Sequence, residues 1–332
     1  MNSSQLWPSP AKLNLFLHIT GRRDDGYHNL QSVFQLLDFG DELAISVRQD
    51  GIIELQCDNP ALRGSDNLVL RAANALAGKT GCKLGATITL RKQLPLGAGL
   101  GGGSSNAATT LAALDVLWQL DCDSSELEEL GLSLGADVPV FLRGASSWAE
   151  GVGEKLQPIN LPQRWFVVLN PSVHISTAEL FNDRQLTRDC TPITIRGFQE
   201  GAATLNVFER VVRQRYPEVE NALVTLQEVA ESYSDANDLS KNATEPDLTE
   251  PVQTELALRE TLPRMTGTGS SVFLACGSEA LAHKVLDGVY ERYEQLAAGT
   301  ISGFVAKGID QSPLAAMIDK VRAESSSIER SM

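Results

Sequence analysis

The chain has 332 residues, 42% of them hydrophobic, and a formal net charge of −14. That length supports about two domains with real cores; the acidity argues against broad nucleic-acid binding, and no apolar run is long enough to predict a membrane span. Five scattered cysteines without a Cys-x-x-Cys pair, four histidines far apart and no basic-then-apolar leader exclude a disulfide framework, a zinc site and a secretory signal, so cytoplasm is the expected compartment.

Residues 10–19 alternate. Leu13, Leu15, Leu17 and Ile19 point one way, and Lys12, Asn14, Phe16 and His18 the other, as in a half-buried strand. From this segment alone Lys12 and Asn14 fit a solvated strand face as well as a site. Asp24-Asp25-Gly26 signals a turn before Tyr27-His28. Strands are predicted over 33–39, 42–48 and 52–57, the last two joined by a tight hairpin at Asp50-Gly51. A helix follows over 66–76, with Asp66 as N-cap and Gly78 as stop, then a strand over 86–90.

Pro95 to Ala108 reads Pro-Leu-Gly-Ala-Gly-Leu-Gly-Gly-Gly-Ser-Ser-Asn-Ala-Ala. The glycines let backbone N–H groups approach a ligand. A helix starting at Ser104 or Ser105 and running to about Trp118 would aim its unpaired N–H groups at the same spot, an anion site best suited to phosphate. Ser125 and Glu128 suggest a capping box opening a helix to about Leu134, broken at residues 135–139 around Asp137. Short strands are predicted over 138–142, 145–149 and 154–159.

Asn160 to Arg164, with Pro162, is the domain-boundary candidate, giving domains 1–160 and 161–332. Beyond it come a strand at 165–169, a short helix at 176–181, and helices at 204–216 and 218–228 split by Pro217. Residues 232–255 are polar and acidic and read as an exposed insertion; the stretch 231–261 alone holds eight acidic and two basic residues. A strand at 272–276, a helix at 279–296 and a strand at 303–307 precede a loose tail at 321–332. Strands and helices interleaved in two halves predict an α+β fold.

Three pattern matches fail by context. Gly97, Gly99 and Gly102 with Asp121 mimic a dinucleotide fingerprint, but the preceding segment alternates, whereas a central parallel strand is apolar on both faces. Gly78-Lys79-Thr80 lacks the first glycine of a P-loop, Ala73 standing there, and Asp38-Phe39-Gly40 lacks the other protein-kinase elements. A phosphate loop without a Walker lysine needs its cation elsewhere, from Lys12, magnesium or the helix dipole. Thr266-Gly267-Thr268-Gly269 is a second small-residue loop, by itself a tight turn. Asp137 is either a turn residue or a carboxylate placed as a general base.

The long glycine stretch resembles the ATP-binding signature of the GHMP kinases, the superfamily of galactokinase, homoserine, mevalonate and phosphomevalonate kinases. Trp7 to Leu17, Gly26-Tyr27-His28, Leu134 to Phe141 and Thr266 to Gly269 extend the resemblance, in order, over about residues 7–314. It implies a two-domain fold with the active site in the cleft between domains. It also implies ATP as co-substrate with Mg2+, and a small-molecule acceptor carrying a cytidine diphosphate, phosphorylated on its methylerythritol 2-hydroxyl for isoprenoid synthesis.

Residue by residue, the resemblance makes Asp137 and Lys12 the catalytic pair. ATP falls to Pro95, Leu96, Gly97, Ala98, Gly99, Leu100, Gly101, Gly102, Gly103, Ser104 and Ser105, with Asn67 near the adenine and magnesium near Ser105. The acceptor falls to Asn14, Tyr27, His28, Thr177, Phe181, Gly267, Thr268 and Gly269, with Tyr27 and Phe181 on either side of the cytosine. No nucleic-acid or membrane partner is implied, and a monomer or weak homodimer is expected. The alternatives are a mevalonate- or homoserine-type kinase and a nucleotide-binding regulator without turnover. Tyr27-His28 argues against the first, and the presence of both Lys12 and Asp137 against the second.

Overall fold

The computed structural model describes residues 5–234, 262–296 and 301–329. Its first strand, β1 (Leu6–Arg22), pairs antiparallel along most of its length with β2 (His28–Arg48). The predicted strands 33–39 and 42–48 are one element. Gly40 continues it because the bulge in β1 after Pro10 presses Ser9 O to within 2.1 Å of where a Cβ would stand. β3 (Ile53–Cys57) does not fold back on β2 as a hairpin at Asp50-Gly51; it lies parallel to β4 (Gly85–Arg91), which separates it from β2.

Helix α1 (Leu68–Thr80) is capped by Asn67, whose side chain accepts from Val69 N, and ends on the left-handed Gly81 rather than at Gly78. Asp66 is therefore not the cap. Helix α2 (Gly102–Leu117) begins two residues before the earlier predicted start, on Gly101, and is buried along almost its whole length. α3 (Ser124–Leu134) has its capping box at Asp123 and Glu126, two residues earlier than Ser125 and Glu128. The predicted strand 138–142 is a helix, α4 (Val138–Arg143), because Pro139 fits its first turn and Gly144 closes it in the left-handed region. β5 (Ser147–Gly151) and β6 (Lys155–Pro158) complete this half.

β7 (Trp165–Asn170) leads into α5 (Thr177–Phe181), with Ser176 as cap. Then come α6 (Ile195–Gln199), α7 (Glu209–Arg215), shorter than the predicted 204–216, and α8 (Pro217–Ser234). α8 absorbs residues 232–234 of the predicted insertion; residues 235–255 lie outside the described residues. β8 (Arg264–Met265), β9 (Val272–Cys276), α9 (Glu279–Leu296) and β10 (Ser302–Ile309) follow. The expected loose tail is instead largely helix, α10 (Pro313–Glu329), held by burial of Leu314 and Val321 in the core of the first half.

The strands form one sheet path, β3-β4-β2-β10-β7-β9-β8. One core gathers Trp7, Leu36, Leu76, Ile88 and Leu111; a second gathers Leu169, Phe208, Leu226 and Val285. β1 runs between them. Trp7 is buried in the first, Leu17 and Ile19 in the second, and Lys12 and Asn14 lie between. Among the described residues no helix is long and apolar enough to cross a membrane.

Candidate active site

Of the two readings open for this face of β1, the solvated one does not hold. Lys12 and Asn14 are each only 3% exposed. A buried ammonium needs partners. Lys12 Nζ donates to Asn14 Oδ1 at 2.5 Å, stands 3.4 Å from Asp137 Oδ2 and lies 5.2 Å from the centre of the Phe34 ring. Asn14 in turn donates to Ser32 Oγ at 2.8 Å, and Ser32 donates to Phe16 O at 2.6 Å. The chain fixes the amide's orientation and hence the ammonium's position. Asp137 comes from the turn that opens α4, and its carboxylate stays one-third exposed.

The two glycine loops cross. Gly99 lies at φ +75°, and a Cβ there would stand 2.3 Å from Thr266 O. Thr266 Oγ1 accepts from Asn14 N at 2.9 Å, tying the second loop to β1. At Gly101, φ +71°, a Cβ would meet Phe141 at 2.8 Å and Lys12 Cγ at 3.1 Å. Only glycine lets the phosphate loop, the lysine strand and α4 approach this closely.

Two cavities open on either side of this crossing. The first, about 690 Å³, is lined by Lys12, Asn14, Tyr27, His28, Phe181 and Gly267. The second, about 670 Å³, is lined by Asn67 and every residue from Pro95 to Ser104, at the N-terminus of α2. They share Gly99, Gly101, Ser104, Asp137, Thr177 and Thr268. Thr177 and Thr268 hydroxyls lie 2.9 Å apart and close the seam. Such an arrangement seats a polyphosphate on one side and an acceptor on the other, with a carboxylate and an ammonium where they meet.

Two candidates are turned away from the cavities. Ser105 is fully buried, its Oγ accepting from Ser9 Oγ at 2.9 Å, and Gly269 packs toward Met265 and Ile175. Asn67 lines the second cavity, but its side chain is engaged as the α1 cap and with Leu62 O. His28 stacks on Phe181, ring centres 5.2 Å apart, while the Tyr27 ring is 65% exposed; all three line the first cavity. His28 Nε2 is buried with no hydrogen-bond partner. Burial, then Arg188 and Arg22, push the His28 pKa below the usual imidazole value.

Sequence reasoning missed Lys92. It lines the second cavity and pairs at 2.6 Å with Asp41, whose other oxygen accepts from the N–H groups of Gln93 and Leu94. A lysine three residues before Pro95 was visible as a cation beside the phosphate loop. His174, from the other half, also lines this cavity, and nothing in its sequence context marked it.

Residues 67–145 match the family model of the GHMP kinases N terminal domain. A 4-diphosphocytidyl-2-C-methyl-D-erythritol kinase from Pseudomonas syringae pv. syringae (strain B728a) is 48% identical over 315 residues, covering 95% of this chain and 98% of its own. The chain belongs to the 4-diphosphocytidyl-2-C-methyl-D-erythritol kinase family. Another such kinase, from Pseudomonas entomophila (strain L48), is 47% identical over 96% of this chain and 98% of its own. A crystal structure of a 4-(cytidine 5'-diphospho)-2C-methyl-D-erythritol kinase superposes with a TM-score of 0.69 at 28% identity, over 92% of this chain and all of that one. A mevalonate kinase from Methanococcus jannaschii shares the fold, with a TM-score of 0.59 at 15% identity over 93% of this chain and 99% of its own. As a 4-diphosphocytidyl-2-C-methyl-D-erythritol kinase family member the chain is a small-molecule kinase of the α+β GHMP fold with ATP as co-substrate. The expected mevalonate and homoserine alternatives and the non-catalytic regulator give way to it.

Proposed function

We propose that the chain transfers the γ-phosphate of ATP to the 2-hydroxyl of 4-diphosphocytidyl-2-C-methyl-D-erythritol, releasing ADP, as a cytoplasmic step toward isoprenoid precursors. The observation that carries this reading is the meeting of the two cavities at Asp137, Gly101 and Ser104. The triphosphate lies along Gly97 to Ser104, held by backbone N–H groups and the positive end of α2, with Lys92 beside it. The acceptor fills the other cavity. Its tertiary hydroxyl gives its proton to Asp137 as the oxygen bonds to the γ-phosphorus and the bond to the ADP oxygen breaks. Lys12, 3.4 Å from Asp137, pairs with the carboxylate and stabilises charge on the transferring phosphoryl oxygens.

The unpartnered His28 Nε2 supplies a hydrogen-bonding edge for the cytosine, and burial keeps that imidazole neutral so that it can accept as well as donate. The exposed Tyr27 ring supplies a stacking face. Among the described residues no group of three or more His, Cys, Asp or Glu could hold a metal. Mg2+ fits as an ion carried on the phosphates, with Ser104 and Asp137 as the protein oxygens at the seam, where it would neutralise phosphate charge. We also place the lobe boundary near residue 160. We further propose a monomer or a weak homodimer.

A coupled ADP-release assay with the cytidyl substrate, mevalonate and homoserine side by side tests the reading. Turnover is expected with the first alone. Comparable turnover with mevalonate or homoserine overturns the substrate assignment, and absence of ADP release with all three overturns the reaction.

A further inference from the structure

Asn206 stands just before α7, lines neither of the two cavities and is buried. Its amide nitrogen donates to Met265 O and to Gly267 O, each at 2.8 Å, and its amide oxygen accepts from Phe208 N at 3.0 Å. The two carbonyls flank Thr266, whose Oγ1 accepts from Asn14 N and whose own carbonyl crosses Gly99. Glu209, three residues on, accepts from Met265 N at 2.9 Å. The main chain on either side of Asn206 is tied to β1, Leu17 N donating to Leu205 O and Val207 N to Leu17 O, both at 3.0 Å. One turn therefore grips the second glycine loop through its N–H and its C=O groups, and the same turn is fastened to the strand that carries Lys12 and Asn14.

A buried amide must be hydrogen-bonded, and packing alone would be served by any partners. These partners are particular. Gly267 lines the acceptor cavity, and Thr268 lines both cavities. A Cβ at Gly267, φ +57°, would stand 3.1 Å from Gly99 O and 3.5 Å from Asn14 Oδ1, the oxygen that accepts from Lys12 Nζ. The Asn206 amide thus holds the carbonyl of a residue packed against both the phosphate loop and the partner of the lysine. We infer that Asn206 is a positioning residue of the kinase: its amide sets the second glycine loop against β1, and so fixes how closely the acceptor oxygen and the γ-phosphorus approach at the seam. The inference rests on the proposed transfer to the cytidyl acceptor. Reaction rates fall steeply with misplacement, by about 10²-fold for a shift of about 1 Å.

The test measures kcat, KM for ATP and the denaturation midpoint of the full chain carrying Asn206→Ala or Asn206→Ser. The first removes all three bonds. The second keeps a hydroxyl for Phe208 N, as in a serine turn, but is too short to reach both carbonyls of the loop. Leu226→Ala, on α8 in the same core, reports what loss of stability does by itself. Both Asn206 variants should lose about 10²-fold in kcat, with KM for ATP within about threefold of the parent, while Leu226→Ala keeps kcat within about threefold. Parental kcat in Asn206→Ser overturns the proposal, since the residue then serves only its own turn. An equal kcat loss in Leu226→Ala, a matching rise in KM for ATP, or failure of both Asn206 variants to fold also overturns it, leaving Asn206 a purely structural residue. Parental turnover keeps the two readings apart. A parent that releases no ADP overturns the reaction and this inference with it, whereas an active parent with equally active variants overturns this inference alone.

Discussion

Asparagine at position 137 keeps the shape of the side chain and removes its charge. The stability cost should be small. The Asp137 carboxylate is 35% exposed, so solvent screens its ion pair with Lys12, and such pairs contribute about 1 kcal/mol or less. Lys12 also keeps its hydrogen bond to Asn14 at 2.5 Å and the face of Phe34 at 5.2 Å, so the buried ammonium is not stranded. The cost in catalysis should be far larger. A placed general base contributes about 10²–10⁴-fold, or about 3–5 kcal/mol of barrier.

Asp137→Asn is therefore expected to fold, to bind ATP as the parent does, and to lose about 10²–10⁴-fold in kcat. Chemical denaturation, nucleotide calorimetry and ADP release at saturating substrates measure the three quantities separately. A kcat within tenfold of the parent would refute the base assignment and leave Asp137 a positioning residue. A parallel loss of ATP affinity would instead place the carboxylate in the nucleotide half of the site.

Four further outcomes can be checked. Gly99→Ala adds a Cβ 2.3 Å from Thr266 O at φ +75°, so denaturation should show a loss of about 2–4 kcal/mol, and parental stability would contradict the crossing of the loops. Tyr27→Ala, at a 65% exposed ring, should leave stability intact and raise KM for the cytidyl substrate about tenfold, the loss of one base–aromatic stack; an equal rise for ATP would argue against Tyr27 as the base platform. Lys92→Met should raise KM for ATP several-fold and destabilise the fold by about 3–5 kcal/mol, because Asp41 is fully buried; parental stability would contradict the pairing of Lys92 with Asp41. His18 and His28 are both held below the usual imidazole pKa of 6.5, chiefly by burial, His18 also by Arg264. The unfolded chain then binds protons before the folded one, so stability present above pH 6.5 is lost as pH falls through the lower folded values. Denaturation midpoints should drop on acidification, and His18→Asn should shrink the drop; an unchanged slope would clear His18.

The parts of the fold that local chemistry dictates were legible. The strand 10–19 alternates, and α2 follows its glycines. The cap at Ser176 and the helix 279–296 also stand where expected. What failed was decided by distant contacts. Residues 33–39 and 42–48 read as two strands, but Asp41 is buried, accepting from Gln93 and Leu94, and Gly40 sits under the β1 bulge, so β2 runs on. Asp50-Gly51 reads as a hairpin because pairing order is invisible locally, and β4 inserts between its two strands. Residues 321–329 read as loose from their serines and charges, yet Val321 docks on a core built some two hundred residues earlier. In the candidate site, the resemblance named Lys12, Asn14 and Asp137, but it did not reveal that Lys12 and Asn14 are buried or that Lys12 contacts both of the others. The stacking of Phe181 on His28 was not legible either.

The division of labour between backbone and side chain explains why one fold serves several acceptors. The nucleotide cavity is made mostly of main chain, with glycines whose close approaches a Cβ would block and the N-terminus of α2. Main chain recognises phosphate whatever the acceptor, so this half can stay fixed. On the proposed mechanism Lys12 and Asp137 act on any hydroxyl brought to the seam. The residues proposed to select a cytidyl acceptor lie apart from Lys12 in β1 and Asp137 in the turn before α4: Tyr27 is in the turn leading into β2, His28 opens β2 and Phe181 ends α5. Substitutions there change what enters without disturbing the Lys12–Asn14–Ser32 chain. A variant carrying Tyr27→Ala and His28→Ala should thus lose the cytidyl substrate while retaining ATP binding and the 3.4 Å pairing of Lys12 with Asp137. If that variant lost nucleotide affinity as well, the two halves would be coupled through β1, and recognition and chemistry could not vary independently.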